Sequence, residues 1–118
     1  MPLGFLHNLD LSTLPRGVFA RGDVVISCGQ ETDRLILLQK GSVKIGKLKL
    51  AAPNAVLMPE FFALDQYRST AIATTDGFYY AAPRAAVKHA LDQSAPITWP
   101  LARAAAGERI MAHLDHAL

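Results

Sequence analysis

The 118-residue sequence is 51% hydrophobic and only 19% charged, which excludes a disordered chain and allows a packed core without disulfide or metal. Twelve basic residues against ten acidic ones leave a formal charge of +2, too little to imply nucleic acid or an anionic membrane as partner. Cys28 is the single cysteine, which excludes an internal disulfide and a thiolate metal cluster.

At the N-terminus, MPLGFLHNLDL has no basic region followed by an apolar run, so no signal peptide is expected. No stretch approaches ~18 apolar residues, so no transmembrane helix is expected either. The expectation is one cytoplasmic domain over residues 1–118. From Leu11 to Ala82, glycines and prolines interrupt the short apolar runs DVVIS, RLILLQ, SVKI, KLKL, AVLM, STAIAT and FYYA. Short strands at such spacing predict a sandwich or barrel over about 17–82. Lys40, Lys44, Lys47 and Lys49 read as the solvent face of strands.

One hairpin is predicted in register. Val43 and Ile45 are apolar at odd positions, and Leu48 and Leu50 at even ones. The parity flips across Gly46-Lys47, as a two-residue turn requires, and Gly46 suits the positive φ of a type II′ turn. Ile45 then faces Leu48 and Val43 faces Leu50, all toward the core, with Lys44 opposite Lys49 in water. A continuous strand with a bulge at Gly46 is the alternative.

After Ala82 the texture becomes helical. PRAAVKHALDQ places Pro83 at a first helical position and Val87, Ala90 and Leu91 on one apolar face. SAPITWP breaks this helix, and Trp99 reads as a core plug. A second helix follows over about 100–118, with Leu101, Ala104, Gly107, Ile110, Met111, Leu114 and Leu118 on one stripe. Gly107, Met111 and Leu114 are candidates for close approach to another helix, within the domain or in a homodimer.

The glycine spacing in FARGDVVISCGQETDRLILLQKGSVKI resembles the cyclic-nucleotide-binding domain of catabolite activator and FNR-type regulators, kinase regulatory subunits and gated channels. The matching positions are Phe19, Gly22, Asp23, Gly29, Asp33, Gly41 and Val43. The resemblance implies a mainly β fold: a double-stranded β-helix, or jelly-roll β-roll, followed by two α-helices. MPEFFALDQYRST then falls where that family keeps its phosphate-binding cassette.

By this resemblance Glu60 accepts the ribose 2′-hydroxyl, Arg68 takes the cyclic phosphate and Ser69 adds a polar contact, with cAMP or cGMP as ligand and, as the alternative to a core plug, Trp99 as a lid that stacks on the base. The residue types suit the task, since a phosphate matches a guanidinium and a hydroxyl matches a carboxylate. Several positions depart from the family pattern. Pro59 replaces a glycine and removes an amide donor, but it suits the first turn of the short helix that the resemblance implies there. Phe62 replaces a small residue and puts a benzyl group beside the phosphate position. Asn54 replaces a frequent glycine, and the spacing from Glu60 to Arg68 is one residue short. The competing reading of the stretch is an ion pair between Glu60 and Arg68 across a closed loop, with Phe61 and Phe62 padding the interior.

No nucleophile motif and no phosphate-cradling Gly-x-x-x-x-Gly-Lys are present, so a non-enzymatic protein with no cofactor is expected. His113 and His116 read as a solvated helix end rather than a metal site. A chain ending at Leu118 has no room for a helix-turn-helix domain, so no direct contact with nucleic acid is expected. Two functions stay open. One is a regulatory module that senses a small anionic ligand such as a cyclic nucleotide and relays it through the C-terminal helices. The other is a degenerate β-roll that has lost the ligand and serves as a protein-interaction or dimerisation module.

Overall fold

Each of the seven apolar runs contributes a strand, though AVLM leaves its strand after Val56. A computed structural model describes residues 9–93 and Ala106 of the chain. After a 3-10 turn at Leu11–Thr13, capped by the Asp10 carboxylate, come β1 (Arg16–Phe19), β2 (Val24–Ile26), β3 (Arg34–Lys40), β4 (Ser42–Ile45), β5 (Leu48–Ala51) and β6 (Asn54–Val56). A short helix, α1 (Met58–Ala63), precedes β7 (Ala71–Ala73) and β8 (Gly77–Pro83), and α2 (Arg84–Asp92) follows. β1 gave no signal in the sequence, because Phe19 is its one buried residue.

The strands form two antiparallel four-stranded sheets, ordered β1-β8-β3-β6 and β2-β7-β4-β5. The pairs β1–β8, β2–β7, β3–β6 and β4–β5 are those of one long hairpin folded over on itself. This is the jelly-roll solution to unpaired sheet edges. Leu35, Ile36, Leu37 and Leu38 are all buried. An uninterrupted apolar run of this kind needs cover on both faces, and α2 packs against β3 and β8.

The hairpin register is as expected: Val43 pairs with Leu50, Lys44 with Lys49 and Ile45 with Leu48. Gly46 has φ 60°, and Leu57 is the one non-glycine residue at positive φ among the described residues, so the turn fits type II′ and not a bulge. The core-facing expectation needs correction at Leu48, which is 60% exposed. Val43 is fully buried and Ile45 and Leu50 half-buried, so cover thins toward the tip of this edge hairpin.

Val87, Ala90 and Leu91 are buried, as the helical periodicity predicts. Pro83 is the N-cap rather than the first helical residue. It still pairs with Arg34 at the end of β8, with extended ψ, so the helix starts one residue later. Ala106 is helical and fully buried with the core cluster. Otherwise the last expected helix lies outside the described residues, with Trp99, Gly107, Met111, His113, Leu114 and His116. Among the described residues no helix is long and apolar enough to cross a membrane.

Candidate functional site

The folded hairpin decides which loops meet. Because β2 pairs with β7 and β3 with β6, the β2–β3 connection must run beside the β6–β7 connection that carries α1. Gly29 N–H donates to the Tyr67 carbonyl at 2.7 Å, Tyr67 N–H to Gln30 at 2.8 Å and Thr32 N–H to Asp65 at 3.0 Å. Glu31 and Gln66 form a bridge between these bonds. The second half of the segment expected to act as a cassette, from Leu64 to Thr70, is therefore pinned by the strand connection opposite.

Within it, Glu60 lies in the first turn of α1, and Pro59 fits that turn because the first amides of a helix have no intrahelical acceptor. Leu57 caps the helix backbone at φ 53°. Glu60 Oε1 accepts from the Arg68 N–H at 3.3 Å and from Ser69 Oγ at 3.2 Å. Glu60 Oε2 is buried and has no hydrogen-bond partner among the described residues. The fold thus brings Glu60, Arg68 and Ser69 together, but the Arg68 contact is made by its backbone. No Glu60–Arg68 ion pair occurs among the described residues, where Asp33–Arg34 at 3.9 Å is the salt bridge found. The ion-pair reading is corrected accordingly: the short loop brings the Arg68 amide to the carboxylate and leaves the side chain exposed.

Phe61 and Phe62 are both fully buried and meet edge to face at 5.2 Å. Phe62 is therefore part of the core. Two surface clefts, of about 670 and about 330 Å³, are lined by other residues and by none of Glu60, Arg68 or Ser69. The larger lies between Glu31–Asp33, Asp65–Gln66 and the first turns of α2.

Three residues at this junction were not legible in the sequence. Thr32, 2% exposed, donates from Oγ1 to the Leu64 carbonyl at 2.5 Å. Arg84 donates from Nη2 to the Thr32 carbonyl, to Thr32 Oγ1 at 2.7 Å and to the Phe61 carbonyl at 3.1 Å. Its guanidinium lies 4.7 Å from the centre of the Phe61 ring. Tyr67, 1% exposed, donates its hydroxyl to the Arg34 carbonyl at 2.8 Å. Burial drives the Tyr67 phenol well above its ordinary pKa; Arg84 opposes the rise, and Glu60 and Asp33 add to it. A threonine, a tyrosine and an arginine scattered over 53 positions carry no local signal of this kind.

Strand order, inserted helix and trailing helix together define a β-roll of the cyclic-nucleotide-binding type. Solved structures agree. A transcriptional regulator from Thermotoga maritima superposes with a TM-score of 0.73 at 14% identity, over 99% of this chain and 95% of that one. The sensor domain of the transcriptional regulator DNR from Pseudomonas aeruginosa gives 0.63 at 18% identity, over 99% and 76%. The catabolite activator protein of Thermus thermophilus gives 0.61 at 17% identity, and this chain spans 57% of its length. An acyltransferase and an EAL enzyme also match, so regulators and enzymes share this fold. No protein-family model and no curated protein matches the sequence.

Proposed function

We propose that this protein is a non-enzymatic regulatory module that senses a small anionic ligand, with a cyclic nucleotide as the first candidate, through Glu60, Arg68 and Ser69. The observation that carries this reading is the buried Glu60 Oε2 without a partner among the described residues. A buried acceptor left unpaired is costly, and a ligand hydroxyl is the donor that would satisfy it. Arg68, exposed and without an acidic partner among the described residues, supplies the charge an anion needs. Glu60 sits on α1, so a ligand that engages it acts on the helix that packs against β3.

Isothermal titration with cyclic AMP, cyclic GMP and cyclic dinucleotides tests the reading. Heat is expected with at least one of them. Glu60→Ala and Arg68→Ala are each expected to weaken that ligand by roughly 10-fold or more, the scale of one charge-assisted hydrogen bond. No heat with any ligand at high protein concentration overturns it.

The second reading is an interaction module with no ligand. Phe62 favours it, because the aromatic ring is wholly in the core where the family pattern has a small residue. Under that reading Phe62→Ala with Pro59→Gly restores nucleotide binding to a protein that otherwise lacks it.

A further inference from the structure

α1 and α2 are far apart in the chain, yet the last turn of one is fastened to the first residue of the other. A helix leaves its last carbonyls without intrahelical partners. In α1 the Glu60 carbonyl takes the Leu64 N–H at 3.0 Å. The Phe61 carbonyl takes Arg84 Nη2, and the Leu64 carbonyl takes Thr32 Oγ1. The Arg84 cation thus caps the negative end of the α1 dipole, where a guanidinium is favoured. Stacking against the Phe61 ring adds a second contact to the same residue.

Arg84 is also the first residue of α2, and its own N–H donates to the Asp33 carbonyl at 3.0 Å. The backbone of Arg84 belongs to one helix and its side chain terminates the other. Thr32, held by both, fixes the guanidinium between them. Beside this knot the open cleft of about 670 Å³ lies between the start of α2 and two residues of the loop after α1, Asp65 and Gln66.

We propose that Arg84 is the positioning residue that couples α1 to α2, so that a displacement of Glu60 on α1 is felt at the start of α2. This rests on the proposed function for its purpose but not for its test. Coupling between elements needs a contact that both elements bias, and the Arg84–Phe61–Thr32 knot is such a contact. A purely structural arginine would stabilise the fold without passing a signal.

The test reads backbone amide resonances of the full chain without ligand. Glu60→Gln removes the carboxylate charge at nearly constant size. With Arg84 in place, this change is expected to shift the amides of Ala85–Lys88 as well as those of Arg68 and Ser69. With Arg84→Met, the shifts at Arg68 and Ser69 are expected to remain and those in α2 to vanish. Should Arg84→Met not fold, Arg84→Lys serves, since a lysine ammonium falls one bond short of the Arg84 Nη2 position and lacks the planar face that stacks on the Phe61 ring, and at least half of the α2 shift is expected to be lost. Shifts in α2 that persist undiminished in the substituted protein, or that never occur with Arg84 present, overturn the proposal. Because no nucleotide enters the measurement, a failed nucleotide titration overturns the proposed function and leaves the coupling standing. Lost coupling likewise leaves the titration result intact.

Discussion

The Tyr67 hydroxyl supplies a hydrogen bond that the sheet cannot. β6 pairs with β3 only from Ile36 onward, and the Arg34 carbonyl lies beyond that ladder. Tyr67→Phe leaves this carbonyl without its donor and is expected to cost about 1–3 kcal/mol, measured by urea denaturation at neutral pH. The pH dependence has a definite sign. Folding raises the phenol above its ordinary value of 10.0. Below that value both states hold the proton, and the stability is fully present. As pH rises past it, the unfolded chain loses the proton while the folded one keeps it, so stability falls. Tyr67→Phe is therefore expected to lose stability less steeply above about pH 10 than the native chain does. Equal slopes for the two proteins would show that the phenol is not protected from ionisation.

At the scale of elements, the β4–β5 hairpin sets two exposed lysines, Lys44 and Lys49, directly opposite each other. Like charges in such a pair are unfavourable, and Lys49→Glu is expected to stabilise the chain by about 0.2–1 kcal/mol, with the gain shrinking in high salt. Thermal unfolding at two salt concentrations reads both effects. That this pair could be named from the sequence shows what was legible there. Parity across a two-residue turn is a local property, so register, turn and facing pairs all follow from ten residues. The same holds for the glycines shared with the family pattern: Gly22, Gly29 and Gly41 take φ of 93°, 92° and 94°, conformations that write themselves into the sequence as glycine. Burial at Leu48 did not follow, because parity fixes a face and not how far the opposite sheet extends over it. α1 followed from the family resemblance, which keeps a short helix there, but not from periodicity. Six residues are under two helical turns, too few for periodicity to distinguish from a strand. Of the candidate site, Glu60, Arg68 and Ser69 were legible as a group through the resemblance of MPEFFALDQYRST to the family's cassette, although its spacing is one residue short. Their geometry was not, since the choice between the Arg68 side chain and its amide depends on the path of a loop. Thr32, Tyr67 and Arg84 were beyond reach for a further reason: their partners are mostly backbone carbonyls, which every residue has.

At the scale of the molecule, folding one long hairpin into a roll makes two kinds of demand on glycine, and they can be told apart. Gly46 lies at the apex of the hairpin with φ 60°, and an added Cβ there meets nothing within 4 Å. Only backbone conformation is at issue, so Gly46→Ala is expected to cost about 1 kcal/mol. Gly77 lies where β8 is held between β1 and β3, paired with Phe19 and beside Lys40. Its φ is not positive, but an added Cβ would run into the Lys40 carbonyl oxygen and come within 2.8 Å of the Phe19 ring. A carbonyl in a central strand cannot swing aside as a side chain can, so the sheet must part or β1 must shift. Gly77→Ala is therefore expected to cost about 3 kcal/mol. Loss of protection of the β1 amides against hydrogen exchange should accompany it, because among the described residues β1 is an edge strand that pairs only with β8. Gly46→Ala should leave those amides protected. If the two substitutions cost the same and neither frees β1, the closure of the roll does not depend on the approach at Gly77, and the close packing of β1, β8 and β3 at that corner is wrong.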